Sequence, residues 1–222
     1  LLQSNNHDAK WLQFSFLSSM AIEGSSPFKS IVVHGDVLQE NNNMSLQYVI
    51  DNFGADILRL WSVSTDCKND LRISHSQLES VSKTYRRIKN TFRFLLSNLS
   101  GYDPESDSVD YEYLQEIDHW ILHRLAYLVD NATKALEKFQ FHSFYRLLLS
   151  FCSLDMSAIY LSIVKRRLYT SPQWSSGRRA IQTVILEILL TLTKLISPVL
   201  PFTSEEIWQQ IPGAKERSSS VY

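Results

Sequence analysis

The chain has 222 residues, a formal charge of −1, 44% hydrophobic residues and 20% charged residues. That balance belongs to a globular protein long enough to bury a real core. It argues against a general electrostatic grip on nucleic acid, which needs a basic domain, while leaving room for a local basic face. Cys67 and Cys152 lie far apart and make neither a disulfide framework nor a zinc spacing, so a reducing compartment is the default. The longest apolar run, AIQTVILEILLTLTKLI, is interrupted by Glu187 and Lys194, so no membrane insertion is expected. No signal peptide is legible, and a chain that opens on Leu1 reads as processed or incomplete.

Residues 8–22, DAKWLQFSFLSSMAI, fit a helix with Trp11, Phe14 or Ser15, Ser18 and Ile22 along one face. Asp8 suits its positive end. GSSP (24–27) breaks it, and SIVVHG then reads as a short buried strand, β-branched and bounded by Pro27 and Gly35. Helix, loop and strand in this order are what the edge of an α/β sheet presents. The segment LQYVIDNFGADILRLW that follows is helix-like.

From Ser76 the character changes. Leu78, Val81, Tyr85, Ile88, Phe92, Leu95 and Leu99 recur at spacings of three and four and predict a helix with one apolar stripe over 76–99. GYDPESDSVD (101–110) is an acidic, turn-rich connection. A second helix is predicted over 111–139, with Leu114, Ile117, Ile121, Leu125, Leu128, Ala132 and Leu136 in line. A third runs from about Phe141 to Tyr169 with a wide apolar face, and a fourth over about 177–197 is stopped by Pro198. Thr203 and Glu206 suggest a capping box for a short last helix, TSEEIWQQI. The fold expected is mainly α: an antiparallel helical bundle preceded by a small α/β remnant. Its divisions are the remnant (1–45), a connecting segment (46–75), the bundle (76–213) and a tail (214–222).

Several separated stretches carry a resemblance. GADILRLWSVSTDCKNDLRIS (54–74) resembles the joint between the catalytic and helical domains of class I aminoacyl-tRNA synthetases, and looks closest to isoleucyl-tRNA synthetases of the bacterial and organellar type. YRRIKNTFRFLLSNLSGYDP, FCSLDMSAIYLSIVKRRLYT and RRAIQTVILEILLTLTKLISPVLPFTSEEIWQQIPG are similar to successive parts of that family's bundle, in the right order. The resemblance implies an anticodon-binding-type fold for the bundle. SNNHDAKWLQFSFLSSMAIEGSSPFKSIVVHG (4–35) is similar to the end of the family's Rossmann-like catalytic domain.

The departures from the family pattern bear on function. Where the family has GSDQHRGWF lining the adenylate pocket, His7 and Trp11 survive with one extra residue between them, and both glycines, the Asp and the Arg are gone. Where it has KMSKS, this chain reads Asn43, Met44, Ser45, Leu46, and about ten residues of linker are missing. Those lysines stabilise charge that develops on the ATP phosphates. Neutral Asn43 and apolar Leu46 cannot, and losing one such donor costs on the order of 10²- to 10³-fold in rate. No HIGH-like tetrad, Gly-rich phosphate loop, editing domain or cysteine-rich zinc module appears. The expectation is a pseudo-synthetase: not an enzyme, without cofactor or metal, with His7, Trp11, Asn43, Met44, Ser45 and Leu46 as vestiges. The alternatives are a tRNA-binding module acting in trans and a piece of an active isoleucine–tRNA ligase.

Arg86, Arg87, Lys89 and Arg93 make one basic patch, and Lys165, Arg166 and Arg167 a second near a helix C-terminus. Either could contact RNA phosphates, or be a solvated face, the second complementing a helix dipole. His7 and Trp11 could line a small pocket, but Trp11 reads better as a packing anchor and His7 as a surface residue. Asp70 and Arg72 suit a structural role at the domain joint. His119 and His123 have a metal spacing with no third ligand. Expected partners are RNA (tRNA or rRNA), protein subunits of a larger assembly such as an organellar ribosome, or both. The apolar surface around Ile31 to Val33, Phe14 and Phe16 should need a covering partner. The compartment expected is the mitochondrial matrix or another organelle, with a bacterial cytoplasm as alternative.

Overall fold

A computed structural model describes residues 2–4, 9–39, 44–66, 68–213 and 218–222. Its N-terminal part holds β1 (Leu2–Ser4), α1 (Ala9–Glu23), β2 (Val32–His34), β3 (Val37–Gln39), α2 (Leu46–Phe53), α3 (Ala55–Ser64) and β4 (Leu71–Ile73). The strands form two parallel pairs. β1 lies on β2 with Leu2 opposite Val32. β3 lies on β4 with Val37 opposite Leu71. Parallel pairing needs a crossover; α1 supplies the first, and α2 with α3 the second. Only the strand near Ile31–Gly35 was legible in sequence. It was legible from its β-branched run between Pro27 and Gly35 and not from a period, since all four strands are three residues long, and it is not the buried strand expected, because Ile31 and Val33 are exposed.

The two pairs meet at Gly35, where a Cβ would stand 2.1 Å from the Asn69 carbonyl oxygen. The Asp36 amide donates to Asp70 Oδ1 at 2.9 Å, and the Leu71 amide to the Asp36 carbonyl at 2.7 Å. Asp70 thus fixes the joint through the backbone. The one-sided packing expected of α1 is absent among the described residues: Trp11, Phe14 and Ile22 are 55%, 67% and 84% exposed. A helix beside a parallel sheet buries its apolar side only when that sheet is broad enough to cover it, and β1–β2 is not.

The bundle comprises α4 (His75–Asn98), α5 (Pro104–Asp107), a 3₁₀ turn (Tyr111–Tyr113), α6 (Glu116–Glu137), α7 (Phe141–Ser150), a π-helical segment (Phe151–Tyr160), α8 (Leu161–Thr170), α9 (Ser176–Ile196) and α10 (Pro201–Trp208). Ser74 caps α4 by accepting from the Gln77 amide, and Leu78, Ile88, Phe92 and Leu95 form its buried stripe. α9 is the central helix: Ile181, Val184, Ile185, Ile188, Leu189, Leu192 and Ile196 are all buried. Each such side chain contributes roughly 1.5–3 kcal/mol by leaving water, so α9 holds the bundle together.

Two expectations need correction. From α7 through α8 the chain is one helix, Phe141–Thr170, long and apolar enough by length and composition to cross a membrane. The sequence reading placed this helix from about Phe141 to Tyr169 but took AIQTVILEILLTLTKLI as the longest apolar run, because polar Ser143, Arg146 and Asp155 punctuate this one. In the bundle it buries Phe144, Leu148, Phe151, Met156, Tyr160, Val164 and Leu168 against its neighbours. Thr203, in turn, is not the cap of α10 but lies inside it. Its amide and hydroxyl both donate to Oδ2 of Asp56 on α3, the amide at 2.8 Å. Arg59 on the same helix donates to the Pro198 and Val199 carbonyls at 2.9 and 3.0 Å. α3 therefore clamps the end of the bundle to its beginning.

A candidate nucleic-acid interface

The signature-like loop is built into the fold. Met44 is buried, 8% exposed, in the hydrophobic core. Ser45 is the N-cap of α2, its hydroxyl accepting from the Tyr48 amide at 3.1 Å. Leu46 opens the helix and is 64% exposed. Trp11 stands out on α1, so it is not a packing anchor among the described residues. His7 and Asn43 lie outside the described residues. The Met-Ser pair thus has a structural purpose: one side chain packs and the other caps, a contribution of about 1 kcal/mol.

The basic residues divide by environment. Arg86, Arg87 and Arg93 are exposed on α4, and Lys165 and Arg166 on α8. Lys89 gives its ammonium to Glu206 Oε2 at 2.9 Å; this bond raises the Lys89 pKa and keeps the group charged. The structure brings Arg87 and Lys165, 78 positions apart in the chain, to one groove of about 630 Å³ between α4 and the π-helical segment. Asn90, Phe94, Ser157 and the buried Cys152 complete its walls. Burial alone pushes the Cys152 thiol up to about 12, so it is an inert wall rather than a nucleophile.

Arg167 does not belong to this interface, which corrects the sequence reading of it as an RNA contact. Its Nη2 donates to both carboxylate oxygens of the fully buried Asp118, at 2.9 and 3.1 Å. The Tyr160 hydroxyl donates to the same carboxylate at 2.7 Å, and the Gln115 amide at 3.2 Å. Burial, then the Asp118 charge, pushes the Tyr160 phenol far up. A second pair lies beside it: Arg124 grips Asp155 through Nε at 3.2 Å and Nη2 at 3.1 Å. Both pairs join α6 to the long helix, and the π-helical segment makes this geometry. Asp155 and Tyr160 are five residues apart, which in an α-helix would separate them by about 140°. In a helix bonded from i to i+5 they come round to the same side, and both face α6.

Sequence reasoning passed over Asp118 and Asp155, although each sits on an apolar stripe: Asp118 between Leu114 and Ile121, Asp155 between Phe151 and Ala158. A carboxylate at a core position signals a buried partner. His119 is engaged elsewhere than with a metal: its Nε2 lies 2.9 Å from the Tyr111 carbonyl oxygen. Among the described residues no three His, Cys, Asp or Glu side chains cluster as metal ligands would.

Comparison with known proteins agrees with this architecture. Residues 4–74 match the family described as tRNA synthetases class I (I, L, M and V), and residues 118–222 the anticodon-binding domain of tRNA ligase. The isoleucine–tRNA ligase of Caldicellulosiruptor bescii is 44% identical over 230 residues, covering 100% of this chain and 25% of the relative. That of Thermoanaerobacter sp. (strain X514) is 46% identical over 216 residues, covering 93% and 23%. This chain therefore spans about a quarter of the length of these curated relatives. Among solved structures, Mycobacterium tuberculosis methionyl-tRNA synthetase bound by methionyl-adenylate superposes with a TM-score of 0.72 at 15% identity, over 98% of this chain and 46% of that one. The Agrobacterium radiobacter K84 LeuRS-tRNA-LeuAMS ternary complex gives 0.70 at 17%, over 99% and 27%. These two likenesses concern the fold alone. The two family matches together take in most of the chain, and the chain belongs to the class I tRNA synthetases, corresponding to the end of the synthetase domain and the anticodon-binding bundle of isoleucine–tRNA ligases.

Proposed function

We propose that the chain is an RNA-binding module descended from isoleucine–tRNA ligase and no longer a catalyst of adenylate formation. It binds tRNA or tRNA-like RNA along α4, as an RNA-associated subunit of a larger assembly. The observation that carries this reading is the array of exposed cations, Arg86, Arg87 and Arg93, continued by Lys165 across the groove. None of the four has a carboxylate within ion-pair distance among the described residues. Catalytic silence is supported by the chemistry of the loop. Asn43 and Leu46 supply no ammonium, while Met44 and Ser45 are committed to packing and capping. The exposed apolar surface of α1, Ile31 and Val33 supports a protein partner over the α/β part. The bacterial relatives suit an organelle of bacterial descent, such as the mitochondrion, or a bacterial cytoplasm.

Fluorescence anisotropy with labelled tRNA tests the binding. We expect salt-sensitive binding, preferring tRNA over duplex RNA, with each phosphate contact worth about 0.9 in the slope of log K against log salt on duplex and less on single strands. Reversing Arg86, Arg87 and Arg93 to Glu should abolish it; unchanged binding sinks the reading. Isoleucine-dependent pyrophosphate exchange by the purified chain would sink the catalytic half. The second reading, a piece of an active ligase, is favoured by 44–46% identity to ligases four times as long. An intact HIGH element encoded upstream in the same frame would establish it.

A further inference from the structure

We propose that the turn between α6 and α7 stacks an unpaired base of the bound RNA on the ring of Phe139. This inference rests on the RNA reading and extends it to a second contact. The hydrogen bonds at the end of α6 dictate the backbone of the turn. The Phe139 amide donates to the Leu136 carbonyl at 3.0 Å, and the Gln140 amide to the Ala135 carbonyl at 2.8 Å. That pair of bonds requires a left-handed residue just past the helix, a position that glycine ordinarily fills. Here Phe139 fills it, with φ of +55°, and no other non-glycine residue has a positive φ among the described residues. In that conformation a Cβ crowds the following carbonyl oxygen. Packing does not offset the strain, because Phe139 is 46% exposed. A strained backbone that holds a large ring out in solvent points to a use for the ring.

The surroundings of the ring suit a nucleotide. Phe141 meets it in a T-shaped contact, ring centroids 6.3 Å apart at 73°, which steadies one ring against the other. Lys138 precedes the ring and Arg146 follows on α7; both are exposed, and neither has a carboxylate partner among the described residues. Glu137 belongs to the last turn of α6, and from Lys138 to Leu154 the chain has no Asp or Glu. A ring beside free cations offers a base its π-face and the adjoining phosphate a counter-charge. An apolar pocket on a protein partner would take the ring without needing the cations. The turn also continues the interface on α4. α7 runs unbroken into the π-helical segment that walls the groove. Cys152, the groove residue on this helix nearest in sequence, is 11 positions beyond Phe141, about 16 Å along the axis. One RNA can bridge that gap, with Lys165 toward the other end of the same helix.

The test is fluorescence anisotropy of the full chain with labelled tRNA and labelled oligoadenylate, at several salt concentrations. Phe139→Gly should weaken binding of both roughly 5- to 150-fold, the range for one base stacked on an aromatic side chain. The salt slope should not change, because no charge is lost. Phe139→Tyr keeps a ring and should bind as the wild type does. Lys138→Gln combined with Arg146→Gln should instead flatten the slope on oligoadenylate by about 1.4, two contacts at about 0.7 each. Glycine accepts the left-handed backbone, so Phe139→Gly should keep or raise the urea midpoint. A lowered midpoint would make the ring a packing element and overturn the proposal. RNA affinity unchanged in Phe139→Gly overturns it too, while leaving the α4 reading in place; loss of a co-purifying polypeptide by that variant would then assign the ring to a protein partner. Failure of the wild type to bind either RNA sinks both.

Discussion

Replacing Asp118 by Ala should be among the most damaging single changes in this bundle. The carboxylate is fully buried, and three donors converge on it: Arg167 Nη2, the Tyr160 hydroxyl and the Gln115 amide. Its removal strands a guanidinium that is only 18% exposed and whose Nε and Nη1 already lack partners. Breaking one side of a buried pair costs about 3–5 kcal/mol. With a urea m-value of about 2 kcal/mol/M, the unfolding midpoint should fall by roughly 1.5–2.5 M. The corresponding drop in Tm is about 6–20 °C. Equilibrium urea unfolding followed by circular dichroism reads this directly. Asp118→Leu combined with Arg167→Met should recover most of the loss, because the deficit comes from the unpaired charge rather than from an absent attraction. A midpoint shift below about 0.5 M, or a double variant as unstable as the single one, would refute this account.

Other expectations concern separate links. Asp56→Ala removes the acceptor of two Thr203 donors and should cost about 2–3 kcal/mol; hydrogen exchange at residues 201–208 should quicken well before global unfolding does. Ser45→Ala should cost about 1 kcal/mol in urea unfolding, as the loss of an N-cap does, and leave RNA affinity unchanged. Lys165→Glu should weaken RNA binding without changing the urea midpoint, whereas Arg167→Ala should lower the midpoint; the reverse pattern would reassign the groove. Because burial raises the Cys152 pKa from 9.0 to about 12, the folded state holds that proton more tightly than the unfolded chain. Its stabilisation is complete below pH 9 and is lost as pH rises to about 12. Unfolding midpoints measured across that window should decline less steeply in Cys152→Ala.

The bundle was legible because its helices advertise themselves. Apolar stripes in α4, α6 and α9 repeat over many turns, Pro198 ends the last, and predicted bounds fall within a few residues of those observed. The α/β part was harder, since strands of three residues carry no period. The basic cluster 165–167 shows the limit most clearly. Adjacent residues on a helix point about 100° apart, so Lys165 reaches the groove beside Arg87 while Arg167 turns in to Asp118.

The amino-acid sequence by itself determined the class of fold, the order of the helices and the absence of lysine at Asn43 and Leu46, because periodicity and residue identity are local properties. The tertiary structure alone decided which charges are free and which are structural. Asp56 and Thr203 are 147 residues apart, and Asp118 and Arg167 are 49 apart. Only packing brings such groups to hydrogen-bond distance, and only burial makes an ion pair a structural support rather than a solvated charge.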